Sequence, residues 1–308
     1  MFGSMRRVAA AVSVVAVIAA IAVPATVSTA DTSPRTRAAP AGGLGLRLLD
    51  VPVDARNDPR ARVYIVDHLA PGAVIRRRIE VSNTTASPTH VDLYPAAASI
   101  ANGSFLGAAG HTPNDLSTWT SVVPGASDVP AGGNVNASVT IAVPRDAAPG
   151  ERYGVVWAEA RSAPTGNGVV EVSRVGIRLY LSVGTGGPPA ANFAIESLTA
   201  ERALDGRPMI RATLRNTGGR ALDMSGTLQL VDGPAGLRAG PFPATLGVTV
   251  AIGATEPVMI ALDKRLPSGP WDARITLRSG LLERSARANI TYPDSGTALP
   301  LKVTSPRH

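Results

Sequence analysis

Four histidines and no cysteine define the chemistry open to this 308-residue chain. His68, His90, His111 and His308 never stand at metal-ligand spacing, and none lies in an H-E-x-x-H pattern. Without cysteine there is no thiolate nucleophile and no thiolate metal site. No G-x-S-x-G elbow is present, and no S-x-x-K stands in a helical context. The glycine runs Gly132-Gly133 and Gly184 to Gly187 open no helix, so they make no phosphate cradle. Glycoside cleavage needs two carboxyl groups about 5 to 10 Å apart. Asp115, Asp128 and Glu159 are the candidates, and each reads better as a solvated loop or strand-face residue. The residues therefore point to no enzyme, no catalytic residue, no cofactor and no metal, and they single out no binding residue. A carbohydrate-active enzyme is the weakest of the functional readings.

Basic residues offer a different chemistry. The formal net charge is +7, and about +5 once Arg6 and Arg7 are removed with the leader described below. Lys264 and Lys302 are the lysines, so nearly all of this charge is arginine. It is too weak and too scattered for nucleic acid, and it suits an anionic wall or membrane surface. Arg76-Arg77-Arg78 is the densest run. On a strand, Arg76 and Arg78 share the outer face and Arg77 turns inward or towards an edge. The run reads better as a basic rim that discourages edge pairing than as a phosphate site. The polar stretch from Ala101 to Ser117 reads as a long connection across a sandwich end. It is the best place for a recognition surface, since loops on a rigid scaffold carry function.

The elements that would hold such residues are strands. Ile75, Ile79 and Val81 alternate with Arg76, Arg78, Glu80 and Ser82. Asn83-Thr84-Thr85 stops that strand, and Val91 and Leu93 resume the apolar face. The same order returns later in the chain. Ile210, Ala212 and Leu214 form a face, Asn216-Thr217-Gly218-Gly219 breaks the strand, and Leu222, Met224, Leu228 and Leu230 answer it. Val135 to Val143 and Val175 to Val183 alternate without fault. A Pro/Gly turn precedes Tyr153 in one half and Trp271 in the other, and both rings are expected to plug a core where the chain re-enters a sheet.

Short alternating strands with frequent turns predict an all-β protein: two tandem immunoglobulin-like β-sandwiches after a cleavable signal peptide. Arg6 and Arg7, the apolar run Val8 to Val23 and small residues up to Ala30 mark residues 1–30 as that signal peptide. Residues 31–43 read as a disordered leader, 44–186 as the first sandwich, 187–191 as a linker, 192–293 as the second sandwich and 294–308 as a disordered tail. No apolar stretch in the mature chain is long enough for a membrane helix.

Leu69-Ala70-Pro71-Gly72, followed by Arg77 to Thr85, resembles the N-terminal domain of the WxL-interacting cell-surface proteins of Gram-positive and actinobacterial cells. Val129-Pro130-Ala131-Gly132 before the strand ending at Val143-Pro144, Ala148 to Val155, and the strand through Val175-Gly176-Ile177 follow in the same order. The resemblance covers residues 44–186 and extends more loosely over 190–292. It implies a secreted, wall-associated, non-catalytic protein that binds peptidoglycan or another cell-wall polymer, with a WxL-type surface protein as possible partner. The family's C-terminal membrane helix and basic tail have no counterpart here. The alternative reading is a chaperone or assembly subunit that pairs one of its strands with a partner's strand.

Overall fold

A computed structural model describes residues 43–163, 166, 168–293 and 299–302. The signal peptide, the leader and most of the tail lie outside the described residues. Among the described residues strand is the dominant regular structure, as the alternation requires, with one short α-helix and three single-turn helical segments. No helix among the described residues is long and apolar enough to cross a membrane.

The first sandwich contains β1 (Leu44–Leu48), β2 (Ile65–Leu69), β3 (Val74–Asn83), β4 (Thr89–Ala101), β5 (Ser104–Gly107), the short helix α1 (Asp115–Thr118), β6 (Thr120–Val123), β7 (Ala126–Val129), β8 (Asn134–Ala142), β9 (Gly150–Arg161) and β10 (Val172–Val183). One sheet runs β1-β3-β8-β6. The other runs β2-β10-β9-β4-β5, with β7 also paired to β4. Ile79, Val81, Val139 and Ile141 from the first sheet meet Val91, Leu93, Val156 and Leu179 from the second in one buried cluster. The inward residues follow the predicted period of two.

The second sandwich contains β11 (Phe193–Arg202), β12 (Pro208–Asn216), β13 (Leu222–Asp223), β14 (Ser225–Val231), β15 (Ala239–Pro243), β16 (Thr249–Val250), β17 (Thr255–Ala261), β18 (Trp271–Ser279), β19 (Leu282–Ile290) and β20 (Leu299–Lys302). Its sheets run β17-β12-β11-β20 and β15-β14-β18-β19, with β13 and β16 as a separate pair. Its buried cluster draws on residues from Phe193 to Tyr292 and shares none with the first. β20 falls within the segment expected to be a disordered tail.

In both halves a buried asparagine ends a strand (β3 and β12) where the chain leaves that sheet. Asn83 Nδ2 donates to the carbonyls of Ser87, Val129 and Pro130, and its Oδ1 accepts from Thr85 N–H. Asn216 Nδ2 donates to the carbonyls of Arg220 and Val250, and its Oδ1 accepts from Gly218 N–H. One amide thus satisfies backbone groups on both sides of the break and on a neighbouring segment. This accounts physically for the repeated Asn-Thr signal.

Two further expectations change. Trp271 is buried in the second core and donates from Nε1 to Pro267 O, as predicted. Tyr153 is not buried in the first core, because its odd position on β9 points it to the outer face, where it meets Phe105 and Tyr180. Residues 101–117 are not an irregular loop. Asn102 and Gly103 both adopt left-handed backbone (φ 50° and 68°) and turn β4 into β5. Asn114 then caps α1 through a reciprocal pair with Ser117, and Leu116 fills the core. β15 lies in a Gly/Pro-rich stretch, and as an edge strand it tolerates Pro241 and Pro243.

Asn216→Ala leaves two buried carbonyls and one amide without partners. It is expected to lower stability by about 2–3 kcal/mol. Denaturant unfolding with an unchanged m-value is the check, and Asn83→Ala should behave alike.

Candidate functional site

β10 is a long strand whose second side is only partly covered. Val175, Ile177, Leu179, Leu181 and Val183 face the core, and Arg174, Gly176, Arg178, Tyr180 and Ser182 face outward. β9 covers β10 along its full length on one side. On the other side β2 runs parallel to Leu179–Val183 alone. The seven residues Val172–Arg178 therefore have a strand on one side only.

Other margins of these sheets are blunted. β1, β2, β5 and β6 are five residues or fewer. β17 carries Glu256 and Pro257, β15 carries two prolines, and β19 exposes Glu283, Arg284 and Arg287. These are the usual devices against edge-to-edge pairing. Val172–Arg178 has no proline and no bulge in its register with β9. Its approach is apolar: Val169, Val170 and Val172 are 57%, 41% and 49% exposed. A hollow of about 340 Å³ opens beside it, lined by Pro88, His90, Arg161, Ser162, Glu171 and Ser173 among others.

The outer face behind this edge is fixed by one tryptophan. Trp157 lies over Gly176, where an added Cβ would come within 2.6 Å of the ring, and Gly107 makes the same clearance on its other flank. Its Nε1 donates to Ala108 O at 2.8 Å. Arg174 stacks on the indole at 4.5 Å and reaches Glu159 at 3.6 Å. Glu159 is buried and also accepts from Tyr94 Oη and Arg161. The hydrogen bond from Tyr94, together with the neighbouring guanidinium groups, holds the Glu159 carboxyl below its ordinary range. The arginines of this edge are thus held in place and do not bar an incoming strand.

At its far end the edge is anchored to the second sandwich. Asp223 accepts from Arg60 Nε (2.8 Å), Arg178 Nη1 (2.9 Å), Tyr180 Oη (2.7 Å) and Thr249 Oγ1 (2.9 Å). Tyr64, Phe105, Tyr153 and Tyr180 pack around this point. Glu151 Oε2 accepts from Ala221 N–H at 2.7 Å, and Thr249 N–H donates to Gly103 O at 2.8 Å. The tip of the β4–β5 hairpin, within the residues 101–117 expected to carry a recognition surface, therefore touches the second sandwich through Gly103.

The other singled-out residues fall into separate settings. Arg77 pairs with Asp67 at 2.7 Å and Arg78 takes Asp50 through several bonds, so the arginine run is largely neutralised. Asp115 holds Arg152, while Asp128 is brought to His90 at 2.7 Å. That hydrogen bond raises the His90 imidazole above its ordinary value. His111 stacks on Tyr94, and His68 bonds Ser182. His308 lies outside the described residues. No group of three or more metal-capable side chains assembles among the described residues.

No family model matches the sequence, and no curated protein matches it. Solved structures resemble it in fold. The CupB2 chaperone of Pseudomonas aeruginosa has a TM-score of 0.39 and 13% identity, covering 73% of this chain and 97% of its own. The E. coli chaperone DraB gives 0.39 and 12%, over 74% and 96%. A Salmonella enterica SafA pilin in complex with the SafB chaperone gives 0.43 and 10%, over 80% and 96%.

Asp223→Ala strands Arg60 and Arg178 without their anion. A loss of about 3–5 kcal/mol is expected, with calorimetry resolving two transitions where the parent shows one. Burial raises the Glu151 carboxyl above its ordinary 4.5, against the opposing hydrogen bonds from Tyr153 and Ala221. The folded chain then holds this proton to higher pH than the unfolded chain, so stability falls as pH rises from about 4.5 through the folded value. Glu151→Gln should flatten that slope in denaturation curves across this range.

Proposed function

We propose that this chain is a non-catalytic, exported assembly protein that binds a surface-protein partner by strand addition at the open edge Val172–Arg178. The observation that carries this is the contrast among margins. The other sheet edges described above are short, charged or proline-bearing, and this one is seven residues without proline or bulge, its two arginines held by Glu159 and Asp223, entered through three exposed valines. Backbone groups on the free side supply affinity to an extended segment, and the alternating face supplies side-chain selection. The clamp at Asp223 holds the edge rigid relative to the second sandwich, which lowers the ordering cost of binding. Export rests on the expected signal at residues 1–30.

This reading takes the place of peptidoglycan contact as the leading one. The arginine run that suited wall phosphate is engaged by Asp50 and Asp67. Hydrogen exchange on the complex with a partner co-purified from the native host is the test. Amides in 172–178 should gain protection, and Val172→Lys should abolish co-purification while leaving the melting temperature within a few degrees. Undiminished co-purification by that variant, or protection elsewhere only, overturns the proposal. Retention of the folded parent on purified peptidoglycan, unaffected by Val172→Lys, would restore the wall reading.

A further inference from the structure

The outer face of the β14-β18-β19 sheet carries a feature that strand addition does not use. Gln229, Arg274 and Arg287 stand opposite one another across the three strands, and Thr227, Thr276 and Ser285 form the next rank. Both ranks point away from the core, because Leu228, Leu230, Ala273, Ile275, Ala286 and Ala288 fill the inward positions. Between them lies a hollow of about 220 Å³. Its six outward side chains are all hydrogen-bond donors, and none is a carboxylate.

Arg274 directly opposes Arg287. Like charges placed opposite each other on a sheet repel. Asp272 accepts from Arg274 Nε at 3.0 Å and Nη2 at 2.7 Å, Asp232 stands 4.0 Å from the same guanidinium, and Glu283 answers Arg278 one rank further out. Arg287 is exposed and has no ion pair or hydrogen bond among the described residues. The centre of the hollow is thus left with an unbalanced guanidinium. Thr276 Oγ1 and Ser285 Oγ lie 3.1 Å apart, so one of the two hydroxyls remains free to donate outward.

We propose that this hollow is an oxyanion site, taking a phosphate or carboxylate group of an extracellular ligand. The Arg287 fork would make the bidentate contact, with Ser285 and Gln229 closing round it and Arg274, held by Asp272, lining the opposite wall. A planar guanidinium matches such groups better than it matches a halide, so the site discriminates by shape as well as charge.

The test is a titration of the full folded chain with sodium phosphate and, separately, sodium acetate, each at ionic strength held constant with sodium chloride. Arginine Nε–Hε resonances of Arg274 and Arg287 are followed by NMR. Saturable shifts at both are expected, weakened at least fivefold in Arg287→Ala and in Ser285→Ala. Saturation by phosphate alone, acetate alone or both assigns the source of the oxyanion. A linear response matching that of chloride, or saturation unchanged in both variants, overturns the proposal. Because Arg287 and Ser285 are exposed, neither substitution threatens the fold.

Discussion

A strand at the margin of a sheet carries backbone donors and acceptors that water must satisfy unless another chain does. That constraint organises this molecule. The early chain divides its pairing between two sheets: β1 joins β3, and β2 joins β10. Five residues of β2 cannot cover twelve residues of β10, so part of β10 is left bare. Elsewhere, Pro241, Pro243, Pro257 and the charges on β19 spend sequence on closing margins. Leaving β10 plain while blunting its rivals is a selective arrangement, and selectivity of this kind is what a docking strand requires.

The second organising element is Asp223. A carboxylate with four donors around it is fully coordinated, and its donors come from both sandwiches. Arg178 is both a member of this group and the last residue of the bare stretch. Strand pairing and the geometry of the two bodies are therefore linked through one guanidinium. The tyrosines around the clamp exclude water from it, which strengthens each bond and raises the cost of losing any one.

Much of this plan was legible in the residues. The alternation of Ile75 to Val81, Val135 to Val143 and Val175 to Val183 gave the strands, their faces and the all-β class. The Asn-Thr breaks marked two buried amides with the same duty. Other parts needed the third dimension. Asn102-Gly103 carried a recognisable hairpin signal that the surrounding polar residues masked. Tyr153 takes the outer face although its turn resembles that of Trp271, because its parity on the strand differs. The Asp223 clamp joins residues 163 positions apart in the chain, and no local pattern announces such a contact. The bare edge was invisible for a similar reason. It exists because β2 ends early relative to β10, which is a matter of register between distant segments.

Trp157 gives this arrangement an optical consequence. The indole rests on Gly176, in the middle of the bare stretch, with Arg174 across its face. Its emission depends on the packing and polarity at that spot. Of three tryptophans, it alone lies against β10's outward surface; Trp271 is sealed in the other body and Trp119 stacks with Arg152. The protein thus has a native fluorophore seated against the bare stretch of β10, and occupancy by the proposed partner segment would be followed by light without any label.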